Sequence, residues 1–240
     1  MPGRARVLIV VTCYNDGKYL NESVGSAVDL AQSAAELADI TIKIADDGST
    51  EYRTVEVLER FERTGFEVAR FPHRNIGATR NRALATATAD WFIPLDADNR
   101  LRTTVLHDLL PFATSPGPDS PGPAAVYGDA MKFGDAEGRW AMGPTDIDRL
   151  WRENHIDSCA LIRLSAWRSV GGYSESLNGL EDWDLWLSFI EAEFVIAYRP
   201  VIAFDYRVRS DSLSHARYTR FNGNRVTPLT TRGIQTVNKR

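Results

Sequence analysis

Four times within residues 1–113 an apolar run of strand length gives way to a segment of helical periodicity, and this alternation constrains the fold most. Residues 7–11 are a continuous aliphatic run, the signature of a strand buried on both faces. Leu20, Val24, Ala27, Val28 and Ala31 then recur along one face of a helix. Ile40, Ile42 and Ile44 alternate as a second strand, before a helix through Val55, Leu58 and Phe61. Residues 66–71 read as a third strand, 77–88 as an Ala-rich helix, 91–95 as a fourth strand and 103–112 as a fourth helix. Strands alternating with helices predict βαβ units, hence an α/β fold with a mostly parallel, Rossmann-like central sheet flanked by helices.

In such sheets ligands sit beyond the carboxyl ends of the strands. Three polar clusters fall at those ends: Thr12-Cys13-Tyr14-Asn15, Asp46-Asp47-Gly48 and Asp96-Ala97-Asp98. The expectation is a single site on one rim.

At 240 residues, with 43% apolar and 25% charged side chains, the chain has ordinary globular composition, enough for one large α/β domain. A net charge of −4 argues against a dedicated nucleic-acid binder. Cys13 and Cys159 make no disulfide framework, and no run approaches the ~18 apolar residues of a membrane helix, so a cytoplasmic setting is expected. Residues 115–123 hold four of the eleven prolines and read as an exposed loop. Beyond it the periodicity weakens: 124–127 and 159–164 read as strands, 182–192 as a helix, 194–198 and 201–204 as two more short strands. Residues 206–240 carry eight basic side chains against Asp211 alone. That segment is either a solvated tail or a surface for a diphosphate, an anionic acceptor or the inner face of a membrane.

Each cluster has chemistry of its own. Asp96 and Asp98, two residues apart beyond a strand, can together hold a hard divalent cation, although Asp-x-Asp also serves as turn chemistry. Tyr14 offers an aromatic face beside Thr12 and Asn15. Asp46 and Asp47 can accept an N–H from a base edge. Asn75 opens a helix with Arg80 in its first turns, a setting suited to a phosphate or a sugar hydroxyl.

Taken in order, residues 7–15, 46–50, 75–81, 96–98 and Glu181-Asp182-Trp183-Asp184-Leu185-Trp186 resemble the motifs of family 2 glycosyltransferases, inverting enzymes of the GT-A fold. The resemblance spans residues 6–215 and implies four parts. These are a nucleotide-sugar-binding half (1–113), a Pro/Gly-rich loop (114–123), an acceptor-binding and catalytic half (124–215) and a basic C-terminal tail (216–240). It implies that Thr12, Tyr14, Asn15, Asp46 and Asp47 hold the nucleotide base, and that Asp96, Ala97 and Asp98 hold the ribose–diphosphate and a Mn²⁺ or Mg²⁺ ion, with Asp98 the ligand. Asn99 stands where many relatives carry a further Asp. His215 matches a C-terminal metal ligand of some relatives, and Arg207 and Ser214 are expected to close over the diphosphate.

The resemblance makes Asp182 the general base. A sugar hydroxyl attacking an anomeric carbon must lose its proton, and a single displacement needs one base and no protein nucleophile, so inversion is expected. Glu181, Gly172, Tyr173 and Trp183 would face the acceptor, Trp183 by stacking on a pyranose, whereas Trp186 reads as core. The donor implied is a nucleotide diphosphate sugar, UDP-sugar before dTDP- or GDP-sugar, and the acceptor a hydroxyl of a glycan, a lipid-linked or a small molecule, as in polysaccharide biosynthesis. Two alternatives stay open: a non-catalytic nucleotide-sugar or glycan-binding domain, and a sugar-nucleotide pyrophosphorylase. The latter needs a Gly-rich loop after the first strand, where this chain has only Gly17.

Overall fold

The computed structural model describes residues 3–72, 74–115, 122–177 and 179–210, together with two strands between 225 and 237. The expected alternation is present: β1 (Ala5–Cys13), α1 (Gly17–Ser33), β2 (Ala38–Asp46), α2 (Tyr52–Arg63), β3 (Glu67–Arg70), α3 (Ile76–Leu84) and β4 (Trp91–Asp96). β5 (Arg100–Leu101), α4 (Val105–Thr114), β6 (Ala125–Gly134), β7 (Gly138–Trp140) and α5 (Ile147–Leu150) follow. β8 (Leu161–Arg163), α6 (Leu164–Ser169), α7 (Glu181–Glu191) and β9 (Ile196–Val208) complete the main body, and β10 (Arg225–Leu229) pairs with β11 (Gly233–Val237).

One sheet runs through both halves of the sequence in the order β3-β2-β1-β4-β8-β6-β9-β5, with β7 against β6. β3, β2, β1 and β4 are parallel, because each returns through a helix, and β6 is parallel to β9. β8 is antiparallel to both β4 and β6. The parallel run is therefore interrupted, and the sheet is mixed. The 7–11 run is buried throughout, as a central strand between two neighbours must be. Leu20, Val24, Ala27 and Leu30 form the inner stripe of α1, and Leu58 and Phe61 that of α2.

The two short strands expected at 194–198 and 201–204 are one strand, β9. Its pairing with β6 slips between Tyr198 and Ile202, where residues 199–201, Pro200 among them, oppose Gly128. Pro200 lacks the N–H a regular ladder needs, so the sequence looks like a break while the backbone bulges and continues. Helix α3 ends at Leu84, four residues before the periodicity suggests, where Thr86 and Thr88 enter. Residues 116–121 of the Pro/Gly-rich loop lie outside the described residues, as do His215, Ser214 and most of the basic tail. Among the described residues no helix is long and apolar enough to cross a membrane.

Gly77, in the first turn of α3, lets that helix seat beneath the 172–181 segment. A Cβ there would collide with the Ser174 carbonyl and press on Glu181 Cβ at 3.3 Å. Gly25, inside α1, has open space around it. Gly77→Ala is expected to lower the unfolding free energy measured in urea by about 1–3 kcal/mol for overpacking. Gly25→Ala is expected to raise it by about 0.5–1 kcal/mol, since Gly weakens a helix interior.

Candidate active site

The register of β2, β1 and β4 brings three loops level. Cys13 stands opposite Asp46, and Thr12 opposite Asp96. The ladders run one bond further, Asp47 N–H to Cys13 O at 2.8 Å and Ala97 N–H to Thr12 O at 3.0 Å. At this rim lies a cleft of about 530 Å³. It is lined by residues 12–16, Asp47, Arg74, Ile76, Arg80, residues 96–99, Asp157, Ser158, Gly179, Glu181, Asp182, Tyr206 and Arg209.

Asn15 joins the first two loops. Its Oδ1 accepts from Thr50 N (2.8 Å) and Glu51 N (2.9 Å), its own N–H donates to Ser49 Oγ (2.9 Å), and its φ of 53° is one that Asn tolerates. That turn leaves Tyr14 exposed, with the Arg74 guanidinium 5.9 Å from its ring centroid. Asp47 is fixed from α3: its Oδ1 accepts from Asn75 N (2.9 Å) and Thr79 Oγ1 (2.6 Å). Thr12 Oγ1 is buried without a hydrogen-bond partner among the described residues, at a wall of the cleft.

Arg80, only 1% exposed, joins the two sides of the site. Nη2 lies 2.6 Å from Asp96 and Nη1 2.9 Å from Glu181. Burial alone would favour loss of its proton, but the two carboxylates more than reverse that and hold the guanidinium charged. Nη2 also reaches Ser158 Oγ at 3.4 Å. The neighbouring Asn81 grips the 172–173 turn, its Oδ1 accepting from Tyr173 N and its Nδ2 donating to Tyr173 O, both at 2.9 Å. A side chain at Gly172 would strike Asn81 and Trp167, and its φ of +80° suits only glycine.

Asp182 is the second residue of α7. Its Oδ1 accepts from Trp183 N (2.7 Å), its Oδ2 from Asn154 Nδ2 (3.1 Å), and the residue lines the cleft. Burial, then the charge of Asp157, push its carboxyl above the ordinary range. Glu181 is also pushed up, by burial against the pull of Arg80. Asp98 is pushed up to about 6 by burial and by Asp96, and Asp157 to about 7 by the same two causes.

Several expectations require correction. Trp183 is 4% exposed and its Nε1 donates to Leu150 O at 2.6 Å, so it packs in the core and offers no stacking face to the cleft. Tyr173 is 3% exposed, edge-on to Phe92, and with Gly172 it lies off the cleft wall. Arg207 points away from the cleft: it pairs with Glu22, donates from Nε to Asp98 O at 3.0 Å and lies over Tyr19 and Phe133. Asp46 is buried with both carboxylate oxygens toward Ser49 N. Arg80 has both Nη atoms engaged by carboxylates, leaving it a brace and not a phosphate hand. Trp186 is core, as read, with Nε1 donating to Ile156 O.

Among the residues the sequence reading missed are Arg209, Asp157 and Ser158, which line the cleft, and Asn154, which bonds Asp182. Arg209 pairs with Asp16 through both Nη atoms (2.7 and 2.8 Å), and its Nε lies 2.9 Å from Asp98 Oδ2. Asp157, Ser158 and Asn154 precede β8 and carried no motif.

Seven carboxylates and three arginines line the cleft. The described residues contain no ready-made cage of three metal-ligating side chains. Mg²⁺ and Mn²⁺ do not need one: such ions sit on one or two carboxylates and complete their shell with phosphate oxygens and water. Asp98, with Asp96 behind it, fits that requirement.

Arg80→Met would leave Asp96 and Glu181 without their cation. The expected loss of stability is about 3–5 kcal/mol by urea unfolding. Glu181, already pushed up by burial, would lose the pull of Arg80 and titrate further above its unfolded value, so protonation favours the folded variant. The deficit should therefore be larger at pH 8 than at pH 5.

The comparisons with known proteins agree with this geometry. The family model described as glycosyl transferase family 2 matches residues 8–168. The pre-mycofactocin glycosyltransferase of Mycobacterium tuberculosis is 27% identical over 225 residues, covering 87% of this chain and 44% of that one. Succinoglycan biosynthesis protein ExoA of Rhizobium meliloti is 26% identical over 194 residues, covering 74% and 56%. The chain thus spans about half the length of these curated relatives. Among solved structures, S. aureus TarS 1-349 in complex with UDP-GlcNAc superposes with a TM-score of 0.67 at 16% identity, over 86% of this chain and 60% of that one. The mannosyltransferase PcManGT of Pyrobaculum calidifontis, in complex with GDP-Man and Mn²⁺, superposes with a TM-score of 0.66 at 16% identity, over 91% and 61%. With the family model spanning most of the chain and the GT-A fold shared with these structures, the protein belongs to glycosyl transferase family 2.

Proposed function

We propose that this chain is an inverting glycosyltransferase that moves a sugar from a nucleotide diphosphate sugar, UDP-sugar first, to a hydroxyl acceptor with a divalent cation bound. The observation that carries this reading is one cleft holding both the Asp96–Asp98 pair and a half-buried carboxylate, Asp182, whose pKa is raised toward neutrality. The UDP-GlcNAc and GDP-Man bound by the structural neighbours support a nucleotide-sugar donor, and the Mn²⁺ beside GDP-Man supports a metal.

In this reading the base lies against Tyr14, whose exposed ring suits stacking, and Asp47 accepts a base N–H through Oδ2, since Oδ1 is engaged by Asn75 and Thr79. The unpartnered Thr12 hydroxyl is available to the nucleotide. Asp98, with Asp96 braced by Arg80, would hold a divalent cation, which when bound neutralises charge on the leaving diphosphate. Arg209, paired with Asp16 and with Asp98, braces that end of the cleft as Arg80 braces Asp96. The acceptor oxygen attacks the anomeric carbon, the bond from that carbon to the diphosphate oxygen breaks, and Asp182 takes the hydroxyl proton. Asn154 and the Trp183 N–H hold the Asp182 carboxylate in place for it. No protein nucleophile takes part, so the anomeric configuration inverts.

Asp182→Asn is expected to reduce transfer at least 10²-fold, the low end of what a general base contributes. It should leave nucleoside diphosphate affinity within about threefold, because the residue stands away from the base and phosphates. Wild-type turnover by that variant would remove Asp182 from the mechanism. The base must be deprotonated, so activity falls as pH drops through its raised pKa. The acid limb of kcat should lie above the ordinary Asp value of about 3.9. Calorimetry with UDP, dTDP and GDP, each with Mn²⁺ and then EDTA, tests donor and metal together. Binding should need the metal, and Asp98→Ala should lose that metal-dependent binding. Binding unaltered by EDTA would overturn the metal assignment, and binding of no nucleotide would leave the non-catalytic reading.

A further inference from the structure

Asp157 has no part in the reading above, yet it lines the same cleft as Asp96, Asp98 and Asp182. Topology puts it there. β8 runs antiparallel to β4, with Phe92 opposite Ile162 and Trp91 opposite Arg163. Residues just before β8 therefore lie beside residues just after β4, and the 157–158 turn arrives next to Asp96. The carboxylate is fixed in that position: Oδ1 accepts the Cys159 N–H at 2.8 Å, and Ala160 N closes the turn on Ser158 O at 2.8 Å. Its neighbours in sequence touch both ends of the site. Ser158 Oγ meets Arg80, which holds Asp96, and Asn154 Nδ2 meets Asp182.

The fields across the cleft give the same order. The carboxylate acting most strongly on Asp182 is Asp157, and Asp96 and Asp98 both act on Asp157. With Ser158 on the Arg80 that holds Asp96 and Asn154 on Asp182, the 154–158 segment spans from the Asp96–Asp98 pair to Asp182, and Asp157 lies on it.

We propose that Asp157 binds hydroxyl groups of the donor's sugar ring and so sets which sugar the cleft accepts. This rests on the transferase reading. In a single displacement the sugar occupies the space between leaving diphosphate and base, and Asp157 is the carboxylate beside that space. Its Oδ1 is engaged by a backbone N–H, which leaves Oδ2 to meet a sugar hydroxyl. Ser158 Oγ adds a second small polar group on the same wall. A sugar hydroxyl presented there is bound well, and an analogue lacking it leaves a carboxylate unpaired and is rejected.

The test compares Kd values for UDP, UDP-GlcNAc, UDP-glucose, GDP and GDP-mannose, each with Mn²⁺, on the wild-type chain, Asp157→Asn and Asp157→Ala. The Asn variant keeps the shape and the Cys159 N–H bond. The expected result is nucleoside diphosphate binding within about twofold in all three proteins, which also shows that the variants fold. The preferred nucleotide sugar should bind about tenfold or more weakly to the Asn variant, the scale of one hydrogen bond, and more weakly still to the Ala variant. Nucleotide-sugar binding equal in wild type and both variants would overturn the assignment. So would unchanged donor binding with a raised acceptor KM, which would put Asp157 on the acceptor side. If the wild-type chain binds neither nucleoside diphosphates nor nucleotide sugars, the transferase reading falls first and this assignment falls with it.

Discussion

A buried arginine holding two carboxylates is the contact on which the site depends. Arg80 reaches Asp96 at the end of β4 with one Nη and Glu181 at the start of α7 with the other. These residues are far apart in sequence and belong to different layers, so nothing local fixes their separation. The guanidinium does, because a planar fork with fixed donor directions positions both partners at once. Its helix is locked to the same loop by independent bonds, Asn75 Nδ2 to Glu175 O at 2.7 Å and Asn81 to both polar atoms of the Tyr173 backbone. Gly77 then allows the close approach those bonds require. α3 thus works as a clasp between the rim built by the parallel strands and the helix that presents Asp182.

The parallel half of the fold was legible because its strands are buried on both faces and its helices amphipathic, and both patterns survive in the sequence as periodicity. Asn15, Asp47, Asp96 and Asp98 were legible for a related reason: each follows a strand whose carboxyl end had to reach the rim. Asp157 and Ser158 were not, because they precede β8, an antiparallel strand whose amino end reaches the same rim. A rule that searches after strands passes over them. β9 was hidden by Pro200, which removes a ladder donor without ending the strand.

Trp183 and Arg207 adjoin Asp182 and Tyr206, which reach the cleft without them. On a helix consecutive side chains point about 100° apart, so Asp182 facing the cleft turns Trp183 inward, where Leu150 O receives its N–H. The 172–173 turn contributes backbone shape, not a side chain, and sequence cannot distinguish those two uses of a Gly-Gly-Tyr run.

Asn99 shows how a departure from the family's pattern acquires a different meaning in the fold. As a replacement for a carboxylate it reads as a weakened metal ligand. In the structure it is buried, and its Oδ1 accepts the backbone N–H of Arg207 at 2.9 Å, while Arg207 Nε donates to Asp98 O. Arg207 at the end of β9 thus donates twice to the Asp96–Asn99 turn, once from its backbone and once from its side chain. A carboxylate at position 99 could accept the same N–H, but it would add an eighth anion to a cleft that already holds seven against three arginines. A neutral amide supplies the bond without that charge. Two residues beyond the Arg207 N–H, the strand delivers Arg209 onto Asp16 and Asp98. The position that looks like a loss to metal binding is thus part of what ties the turn carrying Asp98 to the end of β9.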